Sequence, residues 1–130
     1  MRRRMTFGVL LLLALATMAY AAGELKPGTA VFAEWVANGW YHGKIDKKCD
    51  AGWHIAFDDG DQKCCTAAQI VADVVPAKTA VSVGAKVLAQ WTNGKYYPGK
   101  VSAINGANYA IAFDDGDNGT VKLEQIRLRK

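Results

Sequence analysis

Two sets of four residues in this chain have side chains suited to holding a cation, and they share one spacing. Trp35, Tyr41, Phe57 and Asp59 recur as Trp91, Tyr97, Phe113 and Asp115, each 56 residues later. Three aromatic faces around a pocket attract an ammonium ion through their ring quadrupoles, and methyl groups on that ion prefer the rings to water. A carboxylate at the rim accepts an N–H where the ammonium still carries one, which favours a mono- or dimethylated cation over a trimethylated one. Tyr96 stands beside Tyr97, so the second set is expected to be the fuller of the two.

Other chemistry is poorly served. The two serines, Ser82 and Ser102, fall in no nucleophile motif, and the two histidines do not recur: His42 becomes Pro98 and His54 becomes Ala110. The chain is therefore read as a non-enzyme with no cofactor. Asp58, Asp59 and Asp61 lack the twelve-residue calcium-loop pattern with its terminal glutamate. Cys64, Cys65, His42 and His54 have no zinc-site spacing, so no metal is expected. Lys122, Arg127, Arg129 and Lys130 make a basic end, but acidic turns beside the aromatics would repel phosphate, which argues against nucleic acid.

The positioning elements follow from the repeat. Phe57-Asp58-Asp59-Gly60-Asp61 returns unchanged as Phe113-Asp114-Asp115-Gly116-Asp117. Its Asp-Gly step suits a two-residue hairpin turn with positive φ. Gly28 pairs with Gly84, Val31 with Val87, and Gly43-Lys44 with Gly99-Lys100, all at the same offset and without a gap. Alternation in Trp53, Ile55, Phe57 and in Tyr109, Ile111, Phe113 marks a third strand in each copy. First strands lie at Val31–Trp35 and Val87–Trp91, second strands near Trp40–Lys47 and Lys95–Ile104, and fourth strands near Lys63–Thr66 and Thr120–Lys122. A short helical turn before Gln69-Ile70 and Gln125-Ile126, then a brief fifth strand, closes each unit. Five short strands in so few residues suit a small, strongly bent barrel.

At Ala33-Glu34-Trp35, Gly39-Trp40-Tyr41-His42-Gly43-Lys44-Ile45 and their counterparts Ala89-Gln90-Trp91 and Gly94-Lys95-Tyr96-Tyr97-Pro98-Gly99-Lys100-Val101, both copies resemble Tudor domains of the chromatin-reader type, a Tudor/Agenet-like group. The Phe-Asp-Asp-Gly-Asp turn matches that family's third hairpin. The resemblance implies an all-β fold of two small five-stranded SH3-like (Tudor-like) barrels in tandem. It implies cage roles for Trp35, Tyr41, Phe57 and Asp59 and for Trp91, Tyr97, Phe113 and Asp115. A further aromatic often follows the turn glycine in that family; Asp61 and Asp117 stand there here, making each cage more acidic and less enclosed.

Residues 1–21 are read as a signal peptide: Arg2, Arg3 and Arg4 precede an apolar run from Phe7 to Met18, and Ala19-Tyr20-Ala21 fits the cleavage pattern. The run is shorter than the ~20 apolar residues of a stable span, so no membrane span remains after cleavage. The organisation expected is residues 28–73 as the first barrel, 74–83 as a linker and 84–130 as the second. Residues 28–73 carry 4 Lys and 7 acidic groups, and residues 84–130 carry 7 basic and 4 acidic groups, so the copies have opposite net charge and can attract each other. Export permits a disulfide, and Cys49 is expected to pair with one of the vicinal Cys64 and Cys65. These readings point to a periplasmic or secreted module, in a bacterial style of export, that binds a protein or peptide bearing a methylated or cationic side chain, or a small quaternary ammonium compound. The alternative is an exported interaction or envelope-structural module without a working cage.

Overall fold

Residues pointing alternately to the two faces of each strand set the sheets, with Ile55 and Phe57 of one half and Tyr109, Ile111 and Phe113 of the other turned to the cores. The computed structural model describes residues 24–130; the signal-peptide reading of residues 1–21 lies outside them. In the first half, β1 (Ala30–Val36), β2 (Gly39–Cys49), β3 (Gly52–Phe57), β4 (Gln62–Cys65) and β5 (Ile70–Ala72) form one antiparallel sheet in the order β4-β3-β2-β1-β5. In the second half, β6 (Lys86–Gln90), β7 (Tyr96–Asn105), β8 (Asn108–Phe113), β9 (Asn118–Val121) and β10 (Ile126–Leu128) repeat that order as β9-β8-β7-β6-β10. The register repeats too: Gly43 faces Phe57 and Gly99 faces Phe113. Single 3-10 turns at Ala67–Gln69 and Leu123–Gln125 lead into β5 and β10, where the sequence places a helical turn.

Each sheet bends around its own core. Val31, Ala33, Ile45, Ile55, Phe57, Cys65 and Ile70 fill the first. Val87, Ala89, Val101, Tyr109, Ile111, Phe113 and Ile126 are the main residues of the second, and Val81 from the connecting segment joins them. The glycines before the conserved-offset lysines have a steric reason. A Cβ on Gly43 would sit 2.6 Å from the Ala56 carbonyl oxygen and 2.9 Å from Phe57 Cα, and one on Gly99 would sit 2.7 Å from the Ala112 oxygen. Only a bare backbone lets β2 and β7 approach their partners this closely.

Residues between the core-facing positions build a seam between the sheets. Phe32, Trp40, Val71 and Leu88 are buried there, with Tyr96 packed against them. Strand alternation explains the assignment: Val31 and Ala33 enter the core while Phe32 faces the other way. Phe32 and Tyr96 rings lie 4.6 Å apart. Arg127 sits 5.3 Å from the Tyr96 ring and Arg129 4.9 Å from the Trp40 ring. Polar groups also bridge the sheets: Arg127 Nε donates to Asp73 Oδ1 at 2.8 Å. The charge imbalance between the halves is thus expressed in a specific ion pair.

The acidic hairpins differ from the two-residue turn expected. Gly60 and Gly116 have positive φ (96° and 98°), and neither Asp59 nor Asp115 does. Gly60 N–H donates to the Phe57 oxygen at 3.0 Å and Phe57 N–H to the Asp61 oxygen at 2.8 Å. This is a three-residue loop ending in a left-handed glycine. Asp59 Oδ1 accepts the Asp61 N–H at 2.9 Å, and Asp115 Oδ1 accepts the Asp117 N–H at 3.0 Å, so the aspartate side chain stabilises the longer loop.

Cys49 is joined to Cys64, with Cα atoms 6.0 Å apart, tying the end of β2 to β4 on the other side of β3. Cys65 is free and fully buried in the first core. Burial pushes its thiol up and Glu34 adds to this, outweighing the nearby Lys63, so the thiol stays protonated.

Two outcomes test these forces. The disulfide closes a separation of 15 residues, so Cys49→Ser/Cys64→Ser is expected to lose about 3 kcal/mol in urea unfolding. Burial alone raises the Asp73 carboxyl, but hydrogen bonds and charge from Arg127 and His42 outweigh it and hold the group below its ordinary value. A depressed carboxyl contributes stability that is complete above its unfolded value of about 3.9 and lost as pH falls through the folded value. Asp73→Asn should therefore cost about 2 kcal/mol at pH 7, with the gap to wild type closing below about pH 4 in acid unfolding.

Candidate functional site

The register of the first sheet brings four separated residues to one end. Trp35 lies at the end of β1, Tyr41 near the start of β2, Phe57 at the end of β3, and Asp59 in the hairpin that follows. Together with Asp61 they line a pocket of about 220 Å³. All four residues named from the sequence for the first copy are thus in one place, and Asp61 joins them as a second carboxylate.

The rings divide into a fixed wall and open faces. Phe57 is buried at 6 % exposure, whereas Trp35 and Tyr41 are 39 % and 48 % exposed. Trp35 meets Phe57 edge to face, with centroids 5.6 Å apart and planes at 88°. One ring therefore belongs to the core and braces the second, which presents a face to solvent. Asp59 gives one oxygen to its own turn, and its other oxygen is free of that bond.

Lys63 is a contributor that the sequence reading overlooked. Its Nζ donates to the carbonyl oxygens of Glu34 (3.1 Å) and Trp35 (2.8 Å) and lies 6.0 Å from the Trp35 ring centroid. It fastens the end of β1 from β4 and does not line the pocket. The signal was in the alignment of the copies, where Lys63 is matched by Gly119.

The second set is arranged differently. Trp91 and Phe113 repeat the edge-to-face contact at 5.3 Å and 90°. Gly119 lies directly against this pair: a Cβ there would sit 3.2 Å from Phe113 Cε2 and 3.4 Å from Trp91 Cζ3. Trp91 and Tyr97 are half-buried, and the Tyr97 hydroxyl accepts a hydrogen bond from Asn93 Nδ2 at 3.0 Å. Asp115 caps its own loop. Tyr96 adds nothing here, contrary to the expectation of a fuller second cage. It is adjacent to Tyr97 in a strand, faces the opposite side, and is spent in the seam. The first set is the more open one.

The histidines occupy polar bridges. His42 lies between Asp58 and Asp73, with ring nitrogens 2.7 and 3.0 Å from their oxygens, and His54 Nδ1 is 3.3 Å from Asp46 Oδ2. Among the described residues no three His, Cys, Asp or Glu side chains are grouped to hold a metal ion, and no helix is long and apolar enough to cross a membrane.

Two five-stranded antiparallel sheets with this strand order define an all-β protein of Agenet/Tudor-like fold. The chain belongs to the family described as Domain of unknown function (DUF4537), whose model matches residues 28–128, both sheets together. Among solved structures it is similar to the crystal structure of the ADCP1 tandem Agenet domain 3-4, at TM-score 0.51 and 17 % identity over 88 % of this chain and 85 % of that one. It is also similar to AGD34 of Arabidopsis thaliana AGDP1, at TM-score 0.50 and 17 % identity, covering 88 % and 87 % of the two chains. Likeness at that identity establishes the fold alone. No curated protein matches the chain.

The different burial of the rings gives a direct check. Phe57→Ala is expected to cost about 3 kcal/mol in urea unfolding, as removal of a core ring does. Trp35→Ala should cost less, about 2 kcal/mol, because two fifths of the residue is in water already.

Proposed function

We propose that the chain is a non-catalytic binding module, built of two tandem Tudor-like units and exported to the periplasm or beyond. Its first sheet would take a cationic side chain of a protein or peptide. The observation that carries the reading is the pocket bounded by Trp35, Tyr41, Phe57, Asp59 and Asp61. Two exposed aromatic rings against a fixed third supply the faces a methylammonium group needs. Asp59 and Asp61 supply acceptors for an N–H on that group. A mono- or dimethylated lysine satisfies both features, and a small quaternary ammonium compound satisfies the first. The export reading points to proteins outside the cytoplasm as the source of such a side chain, rather than histone tails.

The second set is assigned a structural role, with Trp91 and Phe113 closed against Gly119. This reverses the preference drawn from Tyr96-Tyr97.

Calorimetric titration of the described chain with a dimethyl-lysine peptide, its trimethyl and unmethylated forms, and choline tests the reading. The dimethyl peptide is expected to bind tightest. Trp35→Ala should weaken it about tenfold, within the range of one lost cation–π face, and Trp91→Ala should leave it unchanged. Absence of heat with every cation, or loss of binding in Trp91→Ala alone, would remove the assignment to this pocket and favour an interaction module without a working cage.

A further inference from the structure

The two acidic hairpins have one sequence and one backbone pattern. Phe57 N–H bonds to the Asp61 oxygen as Phe113 N–H does to the Asp117 oxygen, both at 2.8 Å. Gly60 and Gly116 bond back to Phe57 and Phe113 at 3.0 Å. Asp58 N–H reaches the His42 oxygen at 3.1 Å and Asp114 N–H the Pro98 oxygen at 3.0 Å. The difference lies in side chains. Asp58 Oδ2 is 2.7 Å from His42 Nδ1, His42 Nε2 is 3.0 Å from Asp73 Oδ2, and Asp73 Oδ1 accepts from Arg127 Nε at 2.8 Å. The second hairpin has proline at the position of His42 and cannot make such a chain.

We propose that Arg127, Asp73 and His42 are positioning residues for the first hairpin, so that the pocket on one sheet is held in shape by the other. The ligand-binding part of this rests on the pocket reading above; the fastening of the hairpin does not. The relay begins at a fixed point. Arg127 Nη1 bonds to the Glu124 and Ile126 oxygens, its guanidinium lies on the Tyr96 ring, and its side chain is only 12 % exposed. Asp73, at 25 %, is shielded as well. Both are anchored in the seam rather than in the hairpin. His42 carries the connection outward, its ring edge-on to Phe32 at 5.3 Å. Only the last carboxylate, Asp58, is largely in water, at 64 % exposure. An isolated exposed pair of that kind contributes little. With a proton on both ring nitrogens His42 donates to both carboxylates; it is then already immobilised by a shielded partner, so less freedom is lost in closing the final bond. Asp58 lies between Phe57, the fixed wall, and Asp59, the rim carboxylate. Restraining it restrains both.

The duplicated hairpin supplies an internal reference for the test. Amide hydrogen exchange in the full described chain is expected to be about fivefold slower at Phe57, Gly60 and Asp61 than at Phe113, Gly116 and Asp117. His42→Ala and Arg127→Met should each bring the first set to the rate of the second, while Ile45 and Ile55 in β2 and β3 keep theirs. Arg127→Lys, which keeps a cation near Asp73, should retain most of the difference. Affinity for the dimethyl-lysine peptide should fall about fivefold in Arg127→Met, although Arg127 does not line the pocket. Equal exchange of the two hairpins in the wild type would overturn the proposal. So would acceleration spread evenly through both sheets in the variants; acceleration confined to the first hairpin with unchanged affinity for a peptide that the wild type binds would overturn the ligand-binding part. If the wild type binds no cation, the pocket reading fails by itself, and the exchange rates still decide whether the relay fastens the hairpin.

Discussion

The seam between the sheets is the contact on which the remainder depends. A five-stranded sheet of some 45 residues encloses few side chains, and such a unit gains little from burial when alone. Here each sheet covers one face of its β1-type strand with its own core and the other face with its partner. That is why Val31, Phe32 and Ala33 are buried in succession, as are Val87, Leu88 and Ala89. Equivalent positions of the two copies lie in this one layer: Phe32 and Leu88, Trp40 and Tyr96, and Val71 with Arg127, whose guanidinium lies on Tyr96. The repeated sequence presents one apolar face twice, and the two faces cover each other. A single family model running through residues 28–128 is consistent with both sheets being kept together for this reason.

Once that face is consumed, the ends of the sheets are free to diverge. The first copy has a disulfide, Lys63 behind its tryptophan and the His42 bridge. The second has Gly119 and Pro98 at the corresponding places and a ring pair packed on bare backbone. Lys63 and His42 act on one small region, the end of β1 and the hairpin after β3, while the disulfide ties β2 to β4 at the other end of β3. Lys63 and His42 lie outside the pocket, where they hold the segments that carry its walls without occupying it. Opposite net charge has the same logic: acidic groups collect where a cation would enter, and the basic surplus of the other copy is partly spent on Asp73.

Much of the fold was legible because the repeat made each copy a check on the other. Positions with a steric reason, such as Gly43 and Gly99 at the closest strand approach, stayed fixed and set the register. That register alone brings Trp35, Tyr41, Phe57 and Asp59 together. Reading the turn went wrong because an Asp-Gly pair fits a two-residue loop by its φ preference, while the Asp59 side chain favours a three-residue one by accepting the Asp61 N–H. The place of Tyr96 also differs from the expectation, though strand alternation is enough to correct it: Tyr96 and Tyr97 cannot share a face. Lys63 and His42 were harder to see. Their partners are 28 and 31 residues away, and nothing local marks a lysine that bonds carbonyls or a histidine between two carboxylates.

Loss of a residue between copies therefore has two meanings that sequence cannot separate. His54 and His42 both vanish in the second copy, and the same comparison discounts both. In the structure His54 meets one neighbouring aspartate on its own sheet, whereas His42 spans from the hairpin to the ion pair that closes the seam. What distinguishes them is burial at the far end of the contact. A bridge gains stiffness from its more sheltered anchor, and only the seam offers one. The interface that makes two weak sheets into one structure thereby also supplies the rigid point from which a water-exposed loop is held.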